Sequence, residues 1–563
     1  MTSSQLEERC ARWVPHDITF QIEGSHTNPY LDVDASVLFT LPSGRKKRIP
    51  AFWSGGQTWR ARFAPSSVGR YSYRVRVTGN RITPHPEGKL EVVPYTGRNA
   101  LYRHGPIKVD ASRRYLCHQD GEPFFWLADT WWYGATSRCR WPEDFQFLVQ
   151  DRAGKGFTVI QMVVGIPPEI AATDPEAANE GGLPFLGGWD RMNPDYFDYV
   201  DRRVACLVNA GLVPCIVGGW GHHIDWAGKR AVTHFWEYLV ARYAAYPVVW
   251  CLSGETDLFP GLGVRPLARA VSALVPPRIR GSRAWAALRD RLAPATQAVH
   301  AQALRERRQQ WEQVGQALSA ADPSHHPVTT HPAPGGYAHE TVNNAPWLDL
   351  TSIQSGHSEQ VAHQMVNAIL EARHLAPQRP IINMEPWYEG ILGRFWGERQ
   401  RYAFWMCVLA GAAGHTYGAN GVWQMSTSSD DFLGHWGEAD WRAAYALAGS
   451  SQLGAARAFL GALRWWELQP RIDWITPHWG KEREDMPLAA AAGTDLVLVY
   501  FPATRRSFDA VLRNLEAGRE YQASWFNTRS GAILGARSLT AEERWVVPAR
   551  PSLDDWLLAV EKA

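Results

Sequence analysis

The sequence predicts an α/β protein, a (β/α)8 TIM barrel flanked by N-terminal and C-terminal β-sandwich domains. Three observations predict it. From about residue 107 to 465, short apolar runs alternate with helical segments, as parallel strands joined by crossover helices do. Eight such runs occur in that stretch, the number a closed barrel needs. On either side the texture is short strands punctuated by Gly, Pro and Asn, with no helical run between them, as in small antiparallel sandwiches. The expected boundaries are 1–100 for the first sandwich, 101–468 for the barrel and 469–563 for the second sandwich.

In the first sandwich "ITFQIEG", "VDASVLFTLPSG", "RIPAFWSGG", "TWRARFAPSSVGRYSYRVRVTG" and "GKLEVVP" carry β-branched and aromatic residues or alternate in polarity. The eight barrel strands are expected at 124–130, 157–165, 212–220, 248–255, 327–332, 348–357, 380–385 and 414–425. Between them, "WPEDFQFLVQDRAGKG" has Pro142 in its first turn and Gly156 at its end, the usual helix punctuation. "DYFDYVDRRVACLVNAG" and "AVTHFWEYLVARYAAY" have amphipathic spacing. Residues 258–323 are too long for one crossover helix, so an insertion (about 258–295) is expected before a regular helix near 295–320. Such an insertion shapes a substrate cleft, forms a dimer contact or stays a loop. A doubly wound open sheet is the competing architecture, but no glycine-rich GxGxxG turn follows the first strand.

Composition excludes several functions. The 563 residues carry a net charge of +2, which offers neither the basic footprint of a nucleic-acid binder nor an acidic tail. No run of 18 apolar residues exists, so no membrane span is expected. The start, "MTSSQLEERCARWVPHD", lacks a basic segment followed by an apolar core, and a cytoplasmic protein is expected. The seven cysteines include no CxxC pair and read as reduced, buried thiols. Tryptophan is in excess, at 28 residues. Large β cores use it, and so do clefts that stack on sugar rings.

In a barrel the chemistry sits where strands end at the C-terminal face. Strand one ends at Asp129, followed by Trp131 and Trp132. Strand two carries Gln161, and strand three ends at Trp220, His222 and His223. Strand four ends at Glu255, five at His331, six at Gln354 and His357, and seven at Glu385, with Trp387 beyond. Strand eight carries His415, Tyr417, Trp423 and Gln424. A buried carboxylate is costly unless paired or functional, so glutamates on strands four and seven, across the mouth from each other, point to paired-carboxylate chemistry. One acid protonates a leaving oxygen while an ionised partner attacks or activates water. Taken alone, either glutamate is also explained by a salt bridge. Asp129 is expected to bind a sugar hydroxyl, and the aromatic, histidine and glutamine side chains are expected to line the substrate site. Glu389, past the end of strand seven, is expected in a loop or helix turn, paired with an arginine such as Arg394 or at the pocket rim. The histidines show no HExxH or HxH spacing, so no metal and no cofactor is expected.

The stretches "FFWLADTWW", "DRAGKGFTVIQMVV", "VVWCLSGE", "PIINMEPWYEG" and "LAGAAGHTYGANGVWQM" resemble the apiosidase-like glycoside hydrolases, whose barrel is of the clan-A type. The leading sandwich resembles the domain that often precedes such barrels, and the tail resembles a C-terminal domain called putative collagen-binding. The resemblance implies a retaining mechanism with Glu255 as acid/base and Glu385 as nucleophile. It departs from the family at Ser253-Gly254-Glu255, where many relatives have Gly-Gly-Asp, so an apiose-releasing activity does not carry over. The expectation is an exo-acting glycosidase that removes a terminal pentose or furanose-type sugar from oligosaccharides or small glycosides. The competing readings are a non-catalytic carbohydrate-binding protein on a barrel scaffold and an isomerase or lyase. The sequence leaves homo-oligomerisation open.

Overall fold

The structure is a computed structural model that describes residues 8–24, 26–78, 87–258, 283–506 and 508–563. Its centre is an eight-stranded parallel barrel. The strands are β1 (Trp126–Trp131), β2 (Val159–Val163), β3 (Val213–Val217), β4 (Val249–Cys251), β5 (Val328–Thr329), β6 (Thr351–Gln354), β7 (Ile381–Glu385) and β8 (Gly414–Tyr417). Hydrogen bonding runs in the order 5-4-3-2-1-8-7-6. Asp349 donates its N–H to the Val328 carbonyl at 2.9 Å, bringing β6 back to β5. Every residue of the eight strands is buried, as expected of parallel strands covered on both faces.

The longer helices are α1 (Glu143–Gly154), α2 (Pro194–Asn209), α3 (His223–Tyr243), α4 (Arg283–Ala321), α5 (Ala362–Ala372), α6 (Gly397–Leu409) and α7 (Ala448–Gly461). In α2 the Asn193 side chain caps the first turn and Pro194 opens it, which satisfies an N–H that has no helical partner. All eight expected strands are present, although β1 begins at Trp126 rather than 124. A small antiparallel meander precedes it, formed by Ile107–Val109, Leu116–His118 and Pro123–Phe124. The helix expected near 295–320 is longer, because α4 starts at Arg283. Residues 259–282 of the expected insertion lie outside the described residues.

The N-terminal region packs a five-stranded sheet on a three-stranded one, and the C-terminal region packs six strands on three. Each has its own apolar core, around Val37, Phe39 and Leu90 in the first and Val497, Leu512 and Val560 in the second. Charged side chains link both to the barrel. Arg62 of the first sandwich reaches Asp201 of α2 at 3.1 Å. In the second, Asp555 holds Arg401 of α6 through bonds of 2.6 and 2.9 Å. All seven cysteines are free, five of them buried. No helix among the described residues is long and apolar enough to cross a membrane.

Candidate active site

A cavity of about 890 Å³ opens at the C-terminal ends of the barrel strands, and both Glu255 and Glu385 line it. Local irregularities in the backbone aim each of them.

Glu385 is the last residue of β7. Its neighbour β6 pairs Ile353 with Asn383 but Gln354 with Glu385, so Met384 is an extra residue, a β-bulge. Asn383 faces the helix layer, with Nδ2 3.9 Å from Cys407 Sγ on α6. Regular alternation would turn Glu385 the same way. The bulge reverses the parity and puts Glu385 on the inner face beside Gln354, as bulges near functional sites do. Gln161 of β2 braces the bulge from below, donating to the Met384 carbonyl at 2.9 Å.

Two imidazoles hold the Glu385 carboxylate. His357 Nε2 donates to Oε1 at 3.1 Å, and His331 Nε2 stands 3.2 Å from Oε2 at ion-pair distance. Burial pushes the carboxyl up, but the contacts and charges of His331 and His357 outweigh it and hold Glu385 down at about 2. His331 Nδ1 donates to the Pro332 carbonyl at 3.1 Å, which fixes its ring. Beside Glu385 lies Tyr388, whose ring rests on Gly418. A Cβ at Gly418 would come within 2.2 Å of that ring, so only glycine admits the contact. Burial and then the charge of Glu385 push the Tyr388 hydroxyl well up.

Glu255 follows β4 with a φ of +39°, a left-handed conformation that is costly for a residue with a Cβ and is found at constrained sites. Before it, Gly254 forms a parallel bridge to Trp220. A Cβ on Gly254 would lie 2.2 Å from the Trp220 ring. The glycine therefore lets the indole lie flat on the backbone, and Trp220 Nε1 donates to Glu255 Oε2 at 2.9 Å. Gln354 Nε2 donates to Oε1 at 3.3 Å. Burial and the nearby charge of Glu385 raise the Glu255 pKa against these two bonds. The two carboxyls are thus driven apart, the pKa of Glu255 upward and that of Glu385 downward, the direction of split that an acid and a nucleophile need.

Of the other expected residues, Trp132, Trp220, His222, Gln354 and Trp423 line the cavity with His357. His331 lies behind Glu385, fully buried. His223 sits beneath Trp220 and accepts its backbone N–H at 2.9 Å. Neither of these two histidines lines the cavity as expected, and seven further expectations are corrected. Asp129 faces outward to α1, where Arg152 Nε donates to it at 2.6 Å and Trp131 Nε1 at 2.8 Å, and neither Asp129 nor Trp131 lines the cavity. Gln161 lies under the cavity floor on Thr130 and Met384. Trp387 stacks on Phe395 at 5.1 Å and donates to the Ser358 carbonyl. His415 packs on Phe404 of α6. Tyr417 points outward and donates its hydroxyl to Glu389 at 2.6 Å. Gln424 closes its own turn, accepting from Gly421 N and donating to Asn420.

Glu389 is a further correction. It is 1% exposed, accepts from Tyr417 and from Gly449 N at 3.0 Å, and does not pair with Arg394, which lies 3.6 Å from Glu359. Tyr388, Trp226, Ile170, Leu392 and Trp436 also line the cavity and were not expected there. All five come from loops or helix starts beyond the strand tips, where no strand pattern marks them. Trp436 Nε1 donates to Glu169 Oε1 at 2.8 Å, tying the loop after β8 to the loop after β2, the two strands that flank β1. Among the described residues there is no group of three or more His, Cys, Asp or Glu placed to hold a metal ion.

A family described as "Apiosidase-like, catalytic domain" matches residues 110–467, and a domain of unknown function, DUF5060, matches residues 9–78. Among solved structures, a putative glycoside hydrolase from Bacteroides vulgatus is 17% identical, with a TM-score of 0.66 over 99% of this chain and 100% of that one. A glycoside hydrolase family 5 protein from the same organism is 20% identical, with a TM-score of 0.63 over 82% of this chain and 94% of that one. A third, described as a glycoside hydrolase, is 20% identical with a TM-score of 0.64 over 82% and 97%. At these identities the likeness is one of fold. Among curated proteins nothing matches.

Proposed function

From the premise that the chain belongs to the apiosidase-like catalytic-domain family, which supports glycosidase activity, we propose that it is a retaining, exo-acting glycoside hydrolase. One observation carries this reading. A single cavity holds an acid raised by burial and by its neighbour's charge and a carboxylate held at about 2 by two imidazoles. In the first step Glu385 attacks the anomeric carbon while Glu255 gives its proton to the departing oxygen. The C–O bond to the leaving group breaks and a glycosyl ester of Glu385 forms. Glu255, now ionised, takes a proton from water. The hydroxide oxygen bonds to the anomeric carbon, Glu385 leaves, and both carboxyls return to their starting states.

The glycone subsite is the Glu385 side of the cavity, where His357, Gln354 and Tyr388 supply hydrogen-bonding groups and Trp132 and Trp423 supply ring faces. Trp436 tied to Glu169 narrows the mouth there, which supports release of one terminal residue, a pentose or furanose-type sugar. A panel of aryl glycosides that includes furanosides tests the activity, and NMR of the first-formed product tests stereochemistry. Retention is expected, with a carboxyl separation near ~5–5.5 Å in a substrate complex. Inversion overturns the mechanism. Glu385→Ala is expected to lose turnover by orders of magnitude and to regain it with azide as a glycosyl azide. Binding without turnover on every glycoside returns the non-catalytic alternative.

A further inference from the structure

The cavity has two chemically different halves, and the difference bears on the leaving group. This inference rests on the assignment of Glu255 as the acid. Because Glu255 protonates the oxygen that departs, the leaving group lies on its side of the cavity. That side is built by the segments after β3, β4 and β5, which bring Trp226, His222, Leu258 and Pro334 into the wall, with Ile170 from the loop after β2 beside them. The end of β7 and the segments after β6 and β7 bring Glu385, His357 and Tyr388 to the other side, and Gln354 stands between the two, donating to Glu255 Oε1 at 3.3 Å. Trp226 is 47% exposed, a large apolar ring left at the mouth of a site. It packs against His222 at 4.5 Å and His223 at 5.0 Å, which fix its plane. His222 adds no charge, since burial and then the nearby Arg307 lower its pKa to about 4.

A second sugar also stacks on a ring, but its hydroxyls leave water when it binds, each needing a replacement partner. Among the described residues, Trp226, Leu258, Pro334 and Ile170 offer it ring faces and aliphatic carbons instead. An aromatic ring loses little on leaving water and gains contact area and ring stacking. We propose that the leaving-group subsite selects an uncharged aromatic aglycone, stacked on Trp226, so that the preferred substrates are aryl glycosides rather than oligosaccharides.

The test uses the glycone that the panel identifies, carried on three leaving groups: fluoride, 2-naphthol and a glucose residue. Wild type is expected to favour the 2-naphthyl glycoside over the glucose-linked disaccharide in kcat/KM by about tenfold or more. Trp226→Ala is expected to lower kcat/KM for the 2-naphthyl glycoside by about tenfold and to leave the glycosyl fluoride, which has no aglycone to stack, within about twofold. Free 2-naphthol is expected to bind wild type more tightly than Trp226→Ala by calorimetry. Preference for the disaccharide, or an equal loss on the fluoride and the naphthyl glycoside, overturns the subsite. Failure of the underlying reading looks different, because Glu255→Ala would then lose no more kcat/KM on the 2-naphthyl glycoside, which needs a proton to depart, than on the fluoride, which does not.

Discussion

Replacing Trp220 by Phe tests the assignment of Glu255 most directly. Phenylalanine keeps a flat ring over Gly254 and removes one atom that matters, the Nε1 donor 2.9 Å from Glu255 Oε2. That bond favours the ionised carboxyl and opposes the upward push of burial and of the Glu385 charge. A hydrogen bond to a charged group contributes about 1.5–3 kcal/mol, and one pKa unit corresponds to about 1.4 kcal/mol. Complete loss would therefore raise Glu255 by about one to two units. Part of the bond persists when the acid is neutral, since a protonated carboxyl still accepts an N–H, so a rise of about one unit is the expectation.

The sign decides what the assay shows. Glu255 must hold its proton for the first step, so the alkaline limb of kcat/KM follows its pKa in the free enzyme. Trp220→Phe should move that limb to higher pH by about one unit while lowering the plateau through poorer aim of the acid. The measurement is kcat/KM from pH 4 to 10 on a glycoside with a poor leaving group, where proton donation limits the rate. A nitrophenyl leaving group departs with less help and should show a smaller loss. An alkaline limb that stays in place or moves down would refute the assignment, because another group would then be titrating.

Further outcomes follow from the same geometry. His357→Ala removes one of the two imidazoles that hold Glu385 at about 2, so the acid limb of kcat/KM should move upward, and an unchanged limb would mean that Glu385 is not the ionised partner. Arg152→Met leaves Asp129 buried without its cation and should cost about 3–5 kcal/mol of stability, read by denaturant unfolding. At temperatures where the variant stays folded its KM should match wild type, which it would not if Asp129 bound substrate. Glu389→Gln tests a buried carboxyl whose pKa is raised by burial against the bonds from Tyr417 and Gly449. A raised acid contributes stability at pH below its unfolded value, and that contribution is lost as pH rises through the folded pKa. The Tm of Glu389→Gln relative to wild type should therefore climb as pH rises above the ordinary carboxylate range, and a difference that is flat or falling with pH would contradict it.

The barrel was legible because burial on both faces leaves a mark in the sequence, runs such as "VVWCL" and "PIINM" that admit few polar residues. The pairing of Glu255 and Glu385 in one cavity was legible for the same reason, since a glutamate closing an apolar run is expensive unless it has work to do. What the runs do not carry is the face a strand-end residue takes. Asp129, His415 and Tyr417 follow the alternation that sends them outward to the helices, and nothing in their own composition separates them from Glu385. The difference is one inserted residue, Met384, which reverses parity on β7, and a bulge of one residue is invisible to a period-two pattern. Glu389 was misplaced because it looks like a loop residue, whereas Ala419 and Gly449, 30 and 60 positions away, provide the bridge and the N–H that bury it. Gly254 is the case where a local reading was within reach. A glycine before a strand-end carboxylate signals close approach, and the approach here is the Trp220 ring. Position at a strand end is thus readable from one strand's own apolar run. The face taken there depends on register with neighbours that only the closed barrel brings alongside, as the bulge of β7 against β6 does for Glu385.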